Sequence, residues 1–216
     1  MKSNRWRRLS GNSRSRWLPC IIALILAIFF LSSAYAGDDN AGGKPMPATQ
    51  VIKFIPKVPA TEQKGDCWTS SASIDRADAW RCRVQNSIYD PCFIGRDGKT
   101  VVCDAEPPDE KDAFRLRLTA PLPKSTGSKE PKGAWLLQLT DGTMCRFVTG
   151  ATGGINDQRM NYFCGPESEG IDTLIGDPVI EGKTWTIERW RGKTLPMDGN
   201  TQGNPPKKVY IMKAWQ

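Results

Sequence analysis

The groups in this chain that could do covalent chemistry are carboxylates, because the usual bases are missing. Its 216 residues include no histidine, which removes Ser-His-Asp and Cys-His hydrolysis together, since the base that activates the nucleophile is absent. Ordinary zinc hydrolase sites go with it. What remains is a pair of carboxyl groups working as acid and base, or as acid and nucleophile, in the manner of glycosidases. Asp66, Asp78, Asp90, Glu106, Asp157 and Glu188 are candidates, but none stands in a recognisable pair. Other acids sit in turn-like contexts such as Asp97-Gly98, Asp109-Glu110-Lys111 and Asp141-Gly142. Carboxylates in such places stay ionised and solvated, whereas a catalytic acid needs an apolar pocket or a like-charged neighbour to raise its pKa. The run Thr149-Gly150-Ala151-Thr152-Gly153-Gly154 could offer backbone N–H groups to an anion. It lacks the lysine and the following helix of a P-loop, so it reads as a connection between strands.

Binding chemistry is better represented. Aromatic rings beside guanidinium or carboxylate groups occur at Trp80-Arg81, Tyr89-Asp90 and Trp190-Arg191. Each has a plainer alternative, because a tryptophan buries a large area and is mostly interior. The expected binding residues are therefore Trp80, Arg81, Tyr89, Trp190 and Arg191, with no catalytic residue, no metal and no cofactor.

Six cysteines follow the N-terminal segment: Cys67, Cys82, Cys92, Cys103, Cys145 and Cys164. An even count in an exported chain reads as three disulfides. No pair has C-x-x-C spacing and histidine is absent, which argues against zinc. Spacing alone does not choose among the possible pairings. Joining sequence neighbours into short local loops is the simplest pairing: Cys67–Cys82, Cys92–Cys103 and Cys145–Cys164.

Positioning these groups falls to strands. β-branched and aromatic residues cluster between turn formers at Thr100–Cys103, Phe114–Leu118, Trp135–Thr140, Thr143–Val148, Gln158–Cys164, Thr184–Trp190 and Val209–Trp215. Phe114-Arg115-Leu116-Arg117-Leu118 alternates cleanly, with one apolar and one basic face. Asp141-Gly142 marks a two-residue hairpin turn, and pairing through it leaves apolar residues on both faces of Trp135–Val148, so that pair is covered on both sides or sits in another register. Thr143, Cys145 and Phe147 share one strand face and Met160, Tyr162 and Cys164 another, which would aim a Cys145–Cys164 bridge into the core. Ser73–Trp80, with Asp75 as cap, is the segment most suited to a short helix. The expected fold is an antiparallel barrel or sandwich with at most one or two short helices, stabilised by disulfides.

The chain also carries an address. Lys2, Arg5, Arg7, Arg8, Arg14 and Arg16 precede the apolar run Leu18–Leu31 and an Ala34-Tyr35-Ala36 triplet, the order of a secretory signal peptide cut after residue 36. The run is short of the roughly 18 residues that would anchor it in a bilayer. Cys20 stands near the start of this run, after Leu18-Pro19, where a lipidated cysteine would follow the run. Residues 37–65, rich in Gly and Pro, read as a flexible leader with an apolar island at Val51–Ile55 able to dock as an edge strand. Residues 66–216 read as a single disulfide-bonded domain. Of 30 Lys and Arg, six leave with the signal, so 24 face 23 Asp and Glu in the mature chain. Near neutrality leaves no footprint of a nucleic-acid binder, and membrane attachment would come only through an uncleaved signal.

The run Cys67-Trp68-Thr69, Arg76-Ala77-Asp78-Ala79-Trp80-Arg81-Cys82, Asp90-Pro91-Cys92-Phe93 and Val101-Val102-Cys103, continued by Trp135, Asp141-Gly142, Thr149–Gly154 and Asn161-Tyr162-Phe163-Cys164, resembles a family of secreted bacterial Cys- and Trp-containing proteins and lipoproteins with no established activity. The resemblance covers most of residues 67–190 and implies an envelope or extracellular location. This chain departs from the lipoprotein members in having no lipidation cysteine. The function expected is a non-catalytic binding domain, secreted or periplasmic, with an envelope glycan, peptide or protein as partner. The alternative is a carboxylate-based hydrolase acting on envelope glycans or peptides.

Overall fold

A computed structural model of the chain describes residues 48–165, 170–194 and 204–216. The expected signal at 1–36 and the first part of the leader lie outside the described residues. Every regular element within them is a strand. Two meanders succeed one another. β2 (Glu62–Ser70), β3 (Ala79–Val84), β4 (Ser87–Ile94), β5 (Val101–Cys103) and β6 (Phe114–Leu118) form a closed barrel. A meander alternates strand direction, so five strands can close only by a parallel pair, and β2 and β6 do pair parallel. β7 (Leu136–Leu139), β8 (Met144–Phe147), β10 (Gln158–Cys164), β11 (Ile171–Glu181), β12 (Thr184–Gly192) and β13 (Lys207–Trp215) make a second circuit. With six alternating strands the last runs opposite to the first, and β13 pairs antiparallel with β7. Closure leaves both circuits with few open edges. Two short strands complete the set. β9 (Gly154–Ile155) pairs with β10, and β1 (Gln50–Ile52) lies parallel to the end of β13.

Three layers of apolar side chains follow from alternation along these strands. Cys67, Trp80, Cys82, Val84, Phe114 and Leu116 fill the first barrel. Leu137, Leu139, Tyr162, Leu174, Ile187 and Ile211 fill the second. Between them Phe93 and Val102 of the first barrel meet Trp135, Leu136 and Trp215 of the second. The single domain expected from residue 66 onward is thus a pair of barrels with a shared core. Leu136 and Leu137 are both fully buried because β7 has one barrel on each side of it, which accounts for the apolar residues on both faces of that strand.

The three short local disulfides are the ones present, Cys67–Cys82, Cys92–Cys103 and Cys145–Cys164. Cys67 lies directly opposite Cys82, and Cys145 opposite Cys164, in antiparallel pairs. Each bridge staples neighbouring strands, and together they are compatible with an oxidising compartment.

Three expectations change. The leader is not all linker: Phe54 is 7% exposed and packs against Phe93 and Trp135, its N–H donates to the Gln216 carbonyl, and β2 already begins at Glu62. Gly65, counted as a linker residue, is a close-approach position, since a Cβ there would stand 2.2 Å from the Arg83 carbonyl oxygen. The Ser73–Trp80 segment is not a helix, because its polar groups have other partners. Ser73 donates to Asp90, the Ile74 N–H to the Ser71 hydroxyl, and Arg76 to Asp78. The Asp141-Gly142 hairpin has three loop residues instead of two: Leu139 N–H donates to the Thr143 carbonyl, Gly142 takes φ +86°, and Asp141 accepts from the Thr143 N–H. That shift by one residue places Leu137 opposite Cys145 and both inside the barrel.

Candidate functional site

Among the described residues one indole is exposed, and it sits on a break in the first barrel. Between β2 and β3 the register runs Cys67 to Cys82 and then Thr69 to Arg81, so Trp68 is an extra residue with no opposite number. Between β3 and β4 it runs Trp80 to Cys92 and then Cys82 to Tyr89, leaving Asp90 and Pro91 opposite the single residue Arg81. Two bulges therefore flank Arg81. Trp68 follows the inward Cys67 and is 44% exposed, while Trp80, Trp135, Trp185, Trp190 and Trp215 are all buried.

Arg81 joins the pieces. Its guanidinium carbon lies 5.8 Å from the centre of the Trp68 ring, within cation–π range. Its Nε is 3.9 Å from Asp90 Oδ2 and, among the described residues, has no hydrogen-bond partner although buried. Asp90 is itself committed, accepting from the hydroxyls of Ser71 and Ser73 and from the Ala72 N–H at 3.0 Å. Its carboxylate fixes the 71–73 loop beside the platform. A second loop is moored there by Ser70, whose hydroxyl accepts from the Thr126 N–H at 2.8 Å. The corner is an exposed aromatic surface with an under-satisfied guanidinium at its edge.

The sequence-expected binding residues separate. Arg81 is in the corner. Tyr89 is half-buried, edge-on to Phe114 with ring centres 4.9 Å apart. Trp80 is inside the first barrel, and Trp190 packs with Ile155, Met160 and Ile175. Arg191 joins Arg189, Asp141 and Asp172 in a salt-bridge network at one end of the second barrel. Trp80-Arg81 and Trp190-Arg191 fail as platforms for one reason: successive residues on a strand point to opposite faces, so an exposed arginine commits its neighbouring tryptophan to the core. The exposed ring and guanidinium that do meet, Trp68 and Arg81, come from adjacent strands. The Cys67–Cys82 bridge was the usable signal, because it brings residues 68 and 81 side by side on adjacent strands.

The carboxylate candidates are dispersed among cationic or turn contexts. Asp66 pairs with Arg83, Asp78 with Arg76 and Glu106 with Arg146. Asp157 occupies a left-handed turn position at φ +61°, and Glu188 faces Lys208 across β12 and β13. At Asp141 burial works against ionisation, but hydrogen bonds from Thr143 and Arg189 outweigh it and hold the carboxyl down at about 2. Asp104 shifts the other way: burial raises its pKa, Arg146 opposes this and Asp112 adds to it. Asp104 and Asp90 line a cavity of about 80 Å³, well below the roughly 300 Å³ at which small-molecule pockets begin. The sulfurs of Cys82, Cys92 and Cys103 lie within 4.8 Å of one another. All three are in disulfides, so none offers a thiolate to a metal.

No protein-family model matches this chain, and neither a curated protein nor a solved structure shows detectable similarity to it.

Proposed function

We propose that this protein is an exported, non-catalytic binding domain of the bacterial envelope or exterior, and that it holds a glycan, peptide or protein partner at the Trp68–Arg81 corner. One observation carries this reading. A tryptophan that could gain about 25 cal/mol for each Å² of apolar surface it buried is instead held 44% exposed on a bulge, with a guanidinium over its ring. The other described tryptophans are all in the core. The dispersal of the acidic residues supports a binding role over a hydrolytic one. The order of basic, apolar and small residues at the N-terminus supports export with cleavage after Ala36, so mass spectrometry of the exported protein is expected to find Gly37 first.

Arrays of cell-wall glycans and peptides probed with the purified protein test the proposal. Ligands are expected whose binding drops on Trp68→Ala and on Arg81→Ala. Binding indifferent to both changes would move the site elsewhere. The hydrolase reading has one point in its favour, the raised pKa of Asp104. Turnover of a glycan or peptide with a bell-shaped pH profile, abolished by Asp104→Asn, would favour it.

A further inference from the structure

The outer face of β6, β2 and β3 carries a stripe of positive charge that the near-neutral composition conceals. Side chains alternate in and out along each strand. The inward set is apolar, with Phe114, Leu116, Cys67, Cys82 and Val84 in the barrel core. Much of the outward set is cationic. In register, Arg115 stands beside Glu62 and Arg117 beside Lys64 across β6 and β2. Across β2 and β3, Arg83 faces Asp66 and Arg81 faces Thr69. The five cations therefore run diagonally from β6 over β2 to β3 and end at the Trp68 indole. From the level of Glu62 to that of Thr69 the stripe rises about 23 Å at ordinary strand spacing.

Five cations meet two carboxylates on this face, Glu62 and Asp66, an excess of three. Counting Asp90, buried beneath Arg81, still leaves two. Arg83, Arg115 and Arg117 keep 58%, 44% and 66% of their side-chain surface exposed while paired. Ion pairs so wetted are weak and exchange partners readily.

We propose that this stripe docks a linear acidic polysaccharide, with carboxylate or sulfate groups along the cations and a sugar ring against Trp68. The proposal rests on the reading of the domain as a binding module and names the class of its ligand. Charge complementarity selects an anion, and the narrow diagonal course selects a chain over a compact ligand. A bilayer surface rewards several apolar side chains inserted side by side, and here the stripe has one terminal indole, with Ile88 on β4 beside Arg83. A single-stranded nucleic acid is held by successive stacking aromatics, and Trp68 is the only aromatic on the stripe. Three disulfides suit a compartment where acidic glycans are met.

The test is calorimetric titration of the purified protein with polygalacturonate fragments, against dextran of equal length, phosphatidylglycerol vesicles and DNA. Polygalacturonate is expected to bind, and to weaken about tenfold between about 50 and about 300 mM NaCl as screening shortens. Arg115→Ser with Arg117→Ser should weaken it about tenfold, the equivalent of 1.4 kcal/mol, with an unchanged melting temperature. Lys64→Gln with Arg83→Gln is the second, independent pair and carries the same expectation. Lys207→Gln with Lys208→Gln on the second barrel should change nothing. Equal binding of dextran would keep the binding module and overturn the acidic ligand. Tighter binding of vesicles or DNA would overturn the polysaccharide class. Binding of none of the four probes, with no hit on the glycan and peptide arrays, would remove both proposals.

Discussion

Arg76 and Asp78 form a two-pronged ion pair at the seam between the barrels, with Nε to Oδ1 at 2.5 Å and an NH2 nitrogen to Oδ2 at 2.8 Å. The arginine side chain is 1% exposed and the aspartate 37%. The remaining guanidinium nitrogen donates to the carbonyls of Phe54 and Gln216, and the whole group lies 4.7 Å from the centre of the Phe93 ring. One side chain thus ties a loop of the first barrel to the strap that precedes it and to the last residue of the second.

Removing that side chain leaves two carbonyls and a half-buried carboxylate without their donor. Arg76→Ala is expected to cost about 3–5 kcal/mol, the range for breaking a buried pair from one side. Urea unfolding followed by tryptophan fluorescence measures it. A loss below about 1 kcal/mol would show that the pair is no more than a surface contact.

Acid should loosen the molecule from two places. Burial raises the pKa of Asp78 but Arg76 outweighs it and the net shift is downward, and Asp141 is held at about 2, below the ordinary carboxylate range. A depressed carboxyl contributes stability above its unfolded pKa and loses it as the pH falls through the folded one. Stability is therefore expected to be level near neutral pH and to fall from about pH 4 toward pH 2. Asp141 is 51% exposed, so solvent screening limits its share to about 1 kcal/mol. Asp141→Asn should flatten part of the acid limb, and an unchanged slope would rule the residue out.

The six cysteines should present no reactive thiol in denatured, unreduced protein. Replacing Cys145 and Cys164 together by Ser opens a bridge whose ends are 19 residues apart and should cost about 3 kcal/mol. Thiol titration and thermal unfolding are the two measurements, and two titratable thiols would contradict the pairing.

Trp68 and Trp80 should behave oppositely on substitution. Trp80→Ala empties a place in the first barrel and is expected to cost about 3–5 kcal/mol. Trp68→Ala touches a bulge at the surface and should stay within about 0.5 kcal/mol while weakening ligand binding. Equal destabilisation by the two would mean that Trp68 is a packing residue.

Much of this protein was legible in one dimension. Alternation marked β6, the even cysteine count marked three disulfides, and the missing histidine narrowed the chemistry. These are local properties, written within a few residues or in the composition. β2, β3 and β4 were harder, since Gly65, Pro91 and runs of Ser and Asp look like loops until a neighbouring strand supplies their partners. The hairpin register turned on one residue, Gly142, whose left-handed conformation the dipeptide permitted without specifying the loop length. The Trp68–Arg81 corner and the basic stripe belonged to tertiary structure altogether. Adjacent residues on a strand face opposite ways, so Trp68 finds Arg81 only through strand pairing. Charge summed along a chain carries no information about faces, and the five cations of the first barrel become one surface only when β6, β2 and β3 lie side by side.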